Sequence, residues 1–140
     1  MHKFYCFATL ILVMLFSCRQ ASEDKNVVAV QYPNESAPLA LLMREMYEDM
    51  ESIKMAIDNK EEIASYLEKH KSLLTAEPTK PEVQNQTYEH MGKAYLEQLE
   101  LLENAEGEAL LDGYKALVSN CLACHQQFCP GPIKRIEKLN

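Results

Sequence analysis

From residue 36 to residue 129, apolar side chains recur at helical spacing in four successive runs. Leu39, Met43, Met46, Met50, Ile53 and Ile57 follow at intervals of 4, 3, 4, 3 and 4, which lines them up along one face of a helix with 3.6 residues per turn. Arg44, Glu45, Glu48, Asp49 and Lys54 fall on the other faces. Ser36 is a good N-cap and Pro38 is tolerated in a first turn, so this helix is expected to start at Ser36 and to break at Asp58-Asn59. Asn59 and Glu62 resemble a capping box that opens a second helix, with Ile63, Leu67, His70 and Leu74 as its stripe. Thr75 to Pro81 cannot continue it, because Pro78 and Pro81 each remove an amide donor and crowd the preceding turn. From about Glu82 a third helix shows Tyr88, Met91, Tyr95, Leu99 and Leu102, and Gly107 marks the break after it. In the fourth, Leu110, Tyr114, Leu117, Cys121, Cys124 and Phe128 repeat at 4, 3, 4, 3 and 4. Pro130-Gly131-Pro132 ends that helix and leaves Ile133 to Asn140 as a short basic tail. Four amphipathic helices with no alternating strand pattern predict an all-α fold, an antiparallel up-and-down four-helix bundle spanning 37–140.

The N-terminal residues follow a different pattern. Met1-His2-Lys3 and the nearly unbroken apolar run from Phe4 to Phe16 form a basic n-region and a secretory h-region, so 1–17 is expected to be a signal peptide. The run is shorter than the roughly 20 residues a permanent transmembrane helix needs. Leu15-Phe16-Ser17-Cys18 resembles the bacterial lipoprotein signal, with Phe16 where a small residue is usual. It implies that Cys18 is acylated, becomes the new N-terminus, and holds the domain to a bacterial membrane through its lipid chains. Residues 18–36, polar and without helical period, are expected to be a tether that lets the domain stand off the membrane.

Length and composition narrow the classes. A chain of 140 residues has room for one domain and a leader. With 47% hydrophobic and 25% charged residues it has the balance of a folded globular domain and not of a disordered one. A formal charge of −7 repels phosphate backbones and excludes nucleic acid as a partner. The five cysteines, at 6, 18, 121, 124 and 129, are not spaced as one disulfide framework.

Two of them, with the histidine that follows, carry the chemistry. Cys121-Leu122-Ala123-Cys124-His125 is the attachment signature for c-type haem, in which two thiols add to the two vinyl groups and the adjacent histidine supplies an axial nitrogen to iron. On a helix, positions 121, 124 and 125 lie within one turn and project together, so both thioethers and the histidine–iron bond can form without unwinding. A structural zinc site would need four ligands in paired clusters, and only one cluster exists. A thioredoxin-like dithiol would need its cysteine pair at a helix N-terminus within an α/β pattern, whereas this pair lies late in an all-α chain. Haem c, with its iron, is therefore the expected cofactor.

Only 15 residues follow His125, too few to build a haem pocket, so the pocket must lie upstream. That arrangement resembles the class II cytochromes c, the cytochrome c-prime family and its low-spin relatives, which are four-helix bundles with Cys-x-x-Cys-His near the end of the last helix. The resemblance covers about Pro38 to Cys129, and its specific part is the motif with Phe128 following at the family's usual aromatic position. It implies that Cys121 and Cys124 carry the haem covalently and that His125 is the proximal iron ligand. In the low-spin relatives a methionine of the first helix fills the sixth iron position. The Leu42-Met43-Arg44 step resembles theirs, which makes Met43 the candidate distal ligand, with Met46 second; core filler is the commoner use of such methionines. The chain departs from the family at Cys129, where cytochromes c-prime usually carry an arginine, and at Leu39, where low-spin relatives commonly have one.

The remaining chemistry-bearing residues have plainer readings. Cys129 is expected to be a small packed thiol, His70 a satisfied core histidine, and His90 a solvated one. Lys134, Arg135 and Lys138 are expected to be exposed, and Tyr88, Tyr95 and Tyr114 to be core or haem-packing aromatics. The resemblance implies a periplasmic, lipid-anchored electron carrier that is not an enzyme, exchanges electrons with a redox partner protein, and can form a homodimer as relatives of this fold do. The alternative it leaves open is a five-coordinate haem that binds nitric oxide or carbon monoxide.

Overall fold

The computed structural model describes residues 36–140; the expected signal peptide 1–17, the acylated Cys18 and the tether up to residue 35 lie outside them. Within that span all regular structure is helical. Helix α1 covers Pro38–Asn59, α2 Leu67–His70, α3 Gln86–Glu103, α4 Ala109–Phe128 and α5 Ile133–Ile136, with 3-10 turns at Lys71–Leu74, Pro81–Val83 and Glu137–Leu139. No helix among the described residues is long and apolar enough to cross a membrane.

Proline at the first position starts α1, where its missing amide donor costs nothing. Ala37, not Ser36, is the flanking residue, and no side chain caps the helix. The Leu39 amide donates instead to the Glu77 carbonyl in the loop before α3 (3.0 Å), while the Ser36 hydroxyl accepts from the Arg44 guanidinium (3.0 Å). At the other end Lys60 takes the left-handed conformation (φ 59°) and its amide reaches the Ala56 and Ile57 carbonyls. Asn59 is thus the last residue of α1 and not the cap of the next helix.

The second helix is much shorter than its apolar pattern predicts. Residues 61–66 have no regular structure, and α2 is one turn that tightens into the 3-10 turn after it. A helix nucleus is costly unless an apolar face is buried, and of residues 61–66 only Ile63 and Tyr66 are even half-buried. The start is set from outside: Glu103, at the end of α3, accepts from the Tyr66 amide (2.6 Å), the Leu67 amide (3.0 Å) and the Ser65 hydroxyl (2.8 Å). The two amides are donors of the kind that a helix start leaves unmatched.

Helix α3 begins four residues later than expected, at Gln86, because Pro81–Val83 makes its own turn and Asn85 is the true cap, its side chain accepting from the Tyr88 amide (3.1 Å). Gly107 adopts φ +60° in the short link to α4, a conformation that costs glycine nothing. The resulting α3–α4 hairpin forms the centre of the core, with Leu99, Leu102, Leu117 and Val118 fully buried. At about 1.5–3 kcal/mol for each such side chain, these contacts hold α4 and its cysteines in register. Met46, Met50 and Ile53 of α1 cover the hairpin.

Helix α4 ends at Phe128 because a residue before proline is pushed out of the helical region, and Cys129, followed by Pro130, has φ −151° and ψ 79°. Residues 133–140 are not a loose basic tail. Ile136 and Leu139 are buried, the Leu139 carbonyl accepts from the Tyr114 hydroxyl (2.9 Å) and the Lys54 ammonium (3.0 Å), and the Arg135 guanidinium stacks 4.2 Å from the centre of the Tyr47 ring. An apolar residue every third position, Ile133, Ile136 and Leu139, gives this segment a face to dock.

Candidate haem-attachment site

Helix α4 gathers Cys121, Cys124 and His125 within one turn, as the spacing requires. Both thiols are free and half-buried. Burial, and after it the neighbouring Cys124, pushes the Cys121 thiol up to about 12. Burial and then Cys129 raise Cys124. These are protonated thiols on an apolar helix face, the reverse of the low-pKa thiolate a dithiol redox centre uses.

His125 has a defined orientation. Its Nδ1 lies 3.0 Å from the Cys129 carbonyl oxygen, and a carbonyl can only accept, so Nδ1 carries the proton and donates. Nε2 is then the ring nitrogen left to bind a metal, the arrangement that metal-binding histidines commonly adopt through a backbone carbonyl. The Cys129 amide in turn donates to the His125 carbonyl (3.0 Å), so the backbone of Cys129 is tied to His125 from both sides. Its side chain is exposed, which corrects the expectation of a packed thiol: Pro130 turns the chain away from the core just there.

Aromatic residues frame the motif. The Phe128 ring meets Tyr88 edge-on at 5.7 Å, and the Tyr88 hydroxyl donates to the Leu73 carbonyl (2.8 Å). Burial first, and a nearby cysteine second, pushes Tyr88 and Tyr114 up to about 12 and Tyr95 well above 10, with Cys124 the neighbour for Tyr88 and Cys121 for the other two. All three phenols therefore remain neutral donors close to the cysteines. Met43 is half-buried against the core and Met46 buried within it, both on α1, a different element from the motif.

No protein-family model, no curated protein and no solved structure matches the chain.

Among the described residues no group of three or more His, Cys, Asp or Glu side chains converges as a metal-ion donor set, so a zinc site has no ligands beyond the one cluster. Two unlinked thiols, an imidazole with Nε2 free and an apolar, tyrosine-rich surround do fit a haem held by thioethers and one axial nitrogen.

One polar constellation escaped the sequence pattern. His70 is fully buried, its Nε2 is 2.9 Å from Asp49 Oδ2 and its Nδ1 is 2.9 Å from the Tyr95 hydroxyl. The expectation of a satisfied histidine holds, but Asp49, assigned to the polar side of α1, is itself buried. Its position three residues after Met46 and one before Met50 was the available signal, since both lie in the apolar stripe. His90, by contrast, is exposed as its position predicts, and so are Lys134, Arg135 and Lys138.

Proposed function

We propose that this chain is a mono-haem c-type cytochrome that carries electrons in the periplasm, held to a bacterial membrane by a lipid on Cys18. On this reading the helical domain is a four-helix bundle of the class II type in which Leu67–Leu74 takes the place of the second helix. Cys121 and Cys124 would hold the haem by thioethers, and His125 and Met43, with Met46 second, would supply its iron ligands. The observation that carries the reading is the hydrogen bond from His125 Nδ1 to the Cys129 carbonyl, one turn from two free thiols, because it fixes the ring and leaves Nε2 as the nitrogen available to a metal. When bound, the haem supplies an iron that shuttles between two oxidation states, and a thioether ligand raises its potential.

The chain's own groups keep that centre in place and dry. Leu117 and Val118, fully buried on α4, fix the motif against α3. Tyr88, Tyr95 and Tyr114 stay neutral, their hydroxyls matched by the Leu73 carbonyl, His70 Nδ1 and the Leu139 carbonyl, so they bring rings without adding charge to an apolar interior. An electron-transfer role requires a redox partner protein. The oxidised and reduced optical spectra of protein matured in a haem-competent periplasm test the reading. A low-spin ferric spectrum, with slow carbon monoxide binding to the ferrous form, is expected. A high-spin spectrum with rapid carbon monoxide binding would assign the protein to the gas-binding alternative.

A further inference from the structure

The buried polar chain Asp49–His70–Tyr95 spans three elements of the fold. Asp49 belongs to α1, His70 to α2 and Tyr95 to α3. The protons along it can be assigned. Tyr95 is neutral and donates to His70 Nδ1, so His70 Nε2 carries the ring's proton and donates to the Asp49 carboxylate. Asp49 also accepts from Lys69, at the rim. Tyr66 stacks on His70 with centroids 6.0 Å apart. No buried side-chain nitrogen or oxygen among the described residues lacks a partner. A network satisfied throughout, in an apolar interior, strongly favours one arrangement of the elements that carry it.

Asp49 lies one turn beyond Met46 and six residues beyond Met43 on the same helix. The chain of hydrogen bonds therefore ties the methionine-bearing stretch of α1 to the helix that packs beside the cysteine motif. Apolar contacts alone tolerate sliding and rotation of a helix, whereas a hydrogen-bonded chain with every partner matched does not.

We propose that Tyr95, His70 and Asp49 are positioning residues that fix α1 so that its methionine reaches the sixth iron position, an inference that rests on the haem reading above. The network acts on the ligand's reach and not on the haem's attachment. Losing one of its buried hydrogen bonds shifts the balance from a bound to a displaced methionine by about tenfold.

The test is the affinity of imidazole for the ferric holoprotein, followed through the optical spectrum as imidazole displaces the methionine. In Tyr95→Phe, which keeps the ring and removes one hydroxyl, imidazole is expected to bind about tenfold more tightly. Asp49→Asn keeps an oxygen to accept from His70 and should stay near the wild type, while Asp49→Leu should match Tyr95→Phe. Asn85→Ala removes the cap of α3 for a comparable loss of stability, and should leave imidazole affinity unchanged. Equal affinities in Tyr95→Phe and Asn85→Ala, at equal haem content, would overturn the positioning role and leave the cytochrome reading intact. A wild-type protein with haem but a high-spin iron would also overturn the positioning role alone, and a wild-type protein without haem would overturn both. A readout that needs no haem is the ¹⁵N spectrum of His70, which should show the neutral Nε2–H tautomer in the wild type and keep it in Tyr95→Phe, where Asp49 still accepts from Nε2, with the Nδ1 resonance shifted by the loss of its donor.

Discussion

Replacing Glu103 by alanine probes the one interaction that decides where the second helical segment begins. The carboxylate accepts from two backbone amides, those of Tyr66 and Leu67, and from the Ser65 hydroxyl. A hydrogen bond to a charged acceptor contributes about 1.5–3 kcal/mol and a neutral one about 0.5–1.5. Glu103 is only half-buried, so water recovers part of each bond, and the three together are worth about 2 kcal/mol. With a urea dependence of about 1–3 kcal/mol per molar for a domain of this size, Glu103→Ala should lower the unfolding midpoint by about 1 M. Glu103→Gln keeps Oε1 as an acceptor for both amides and should lose about half as much. Amide exchange at Tyr66 and Leu67 should rise selectively in Glu103→Ala. A loss below about 0.5 kcal/mol, the range of an indifferent surface substitution, with unchanged exchange at those amides, would refute the assignment.

Four further outcomes rest on the same geometry. Lys60 holds a left-handed conformation that glycine adopts without strain, so Lys60→Gly should stabilise the domain by up to about 1 kcal/mol in urea unfolding. Leu117→Ala leaves a cavity at a fully buried position and should cost about 2–5 kcal/mol by the same measurement. His70 has its pKa lowered below 6.5, chiefly by burial against an opposing pull from Asp49; the unfolded chain therefore binds the extra proton first, and stability should fall as pH drops below 6.5, a slope that is reduced in His70→Gln. Cys129→Ala removes an exposed thiol but keeps the carbonyl that orients His125, so haem content and spectrum should be unchanged, whereas His125→Ala should lose the axial nitrogen and with it the low-spin spectrum.

The long helices were legible because each buries one continuous stripe. In α1, α3 and α4 the apolar spacing alone predicted most of the buried residues, including Met50, Leu99 and Leu117. Pro38 and Gly107 marked boundaries for reasons that are local to their own backbone. The features that escaped the pattern depend on contacts between distant residues. The apolar positions Ile63, Leu67 and Leu74 do not distinguish a full helix from a single turn capped by Glu103 some 36 residues away. Asp49 counts as polar in any periodic pattern, and its burial depends on His70, 21 residues on. The docking of Ile136 and Leu139 likewise depends on Lys54 and Tyr114. At the candidate site, the motif marks Cys121, Cys124 and His125, and the helix that carries them was legible from its stripe. The backbone carbonyl that orients His125 comes from Cys129, and no side-chain pattern can report a role that the side chain does not perform.

Intact mass combined with thiol titration, on protein exported through a haem-competent periplasm, tests covalent haem attachment most directly. One added haem per chain is expected, with no reactive thiol at Cys121 or Cys124 and with Cys129 still open to alkylation. A colourless protein of unmodified domain mass, with the sulfhydryls at 121 and 124 both titrating once it is unfolded, would contradict haem attachment.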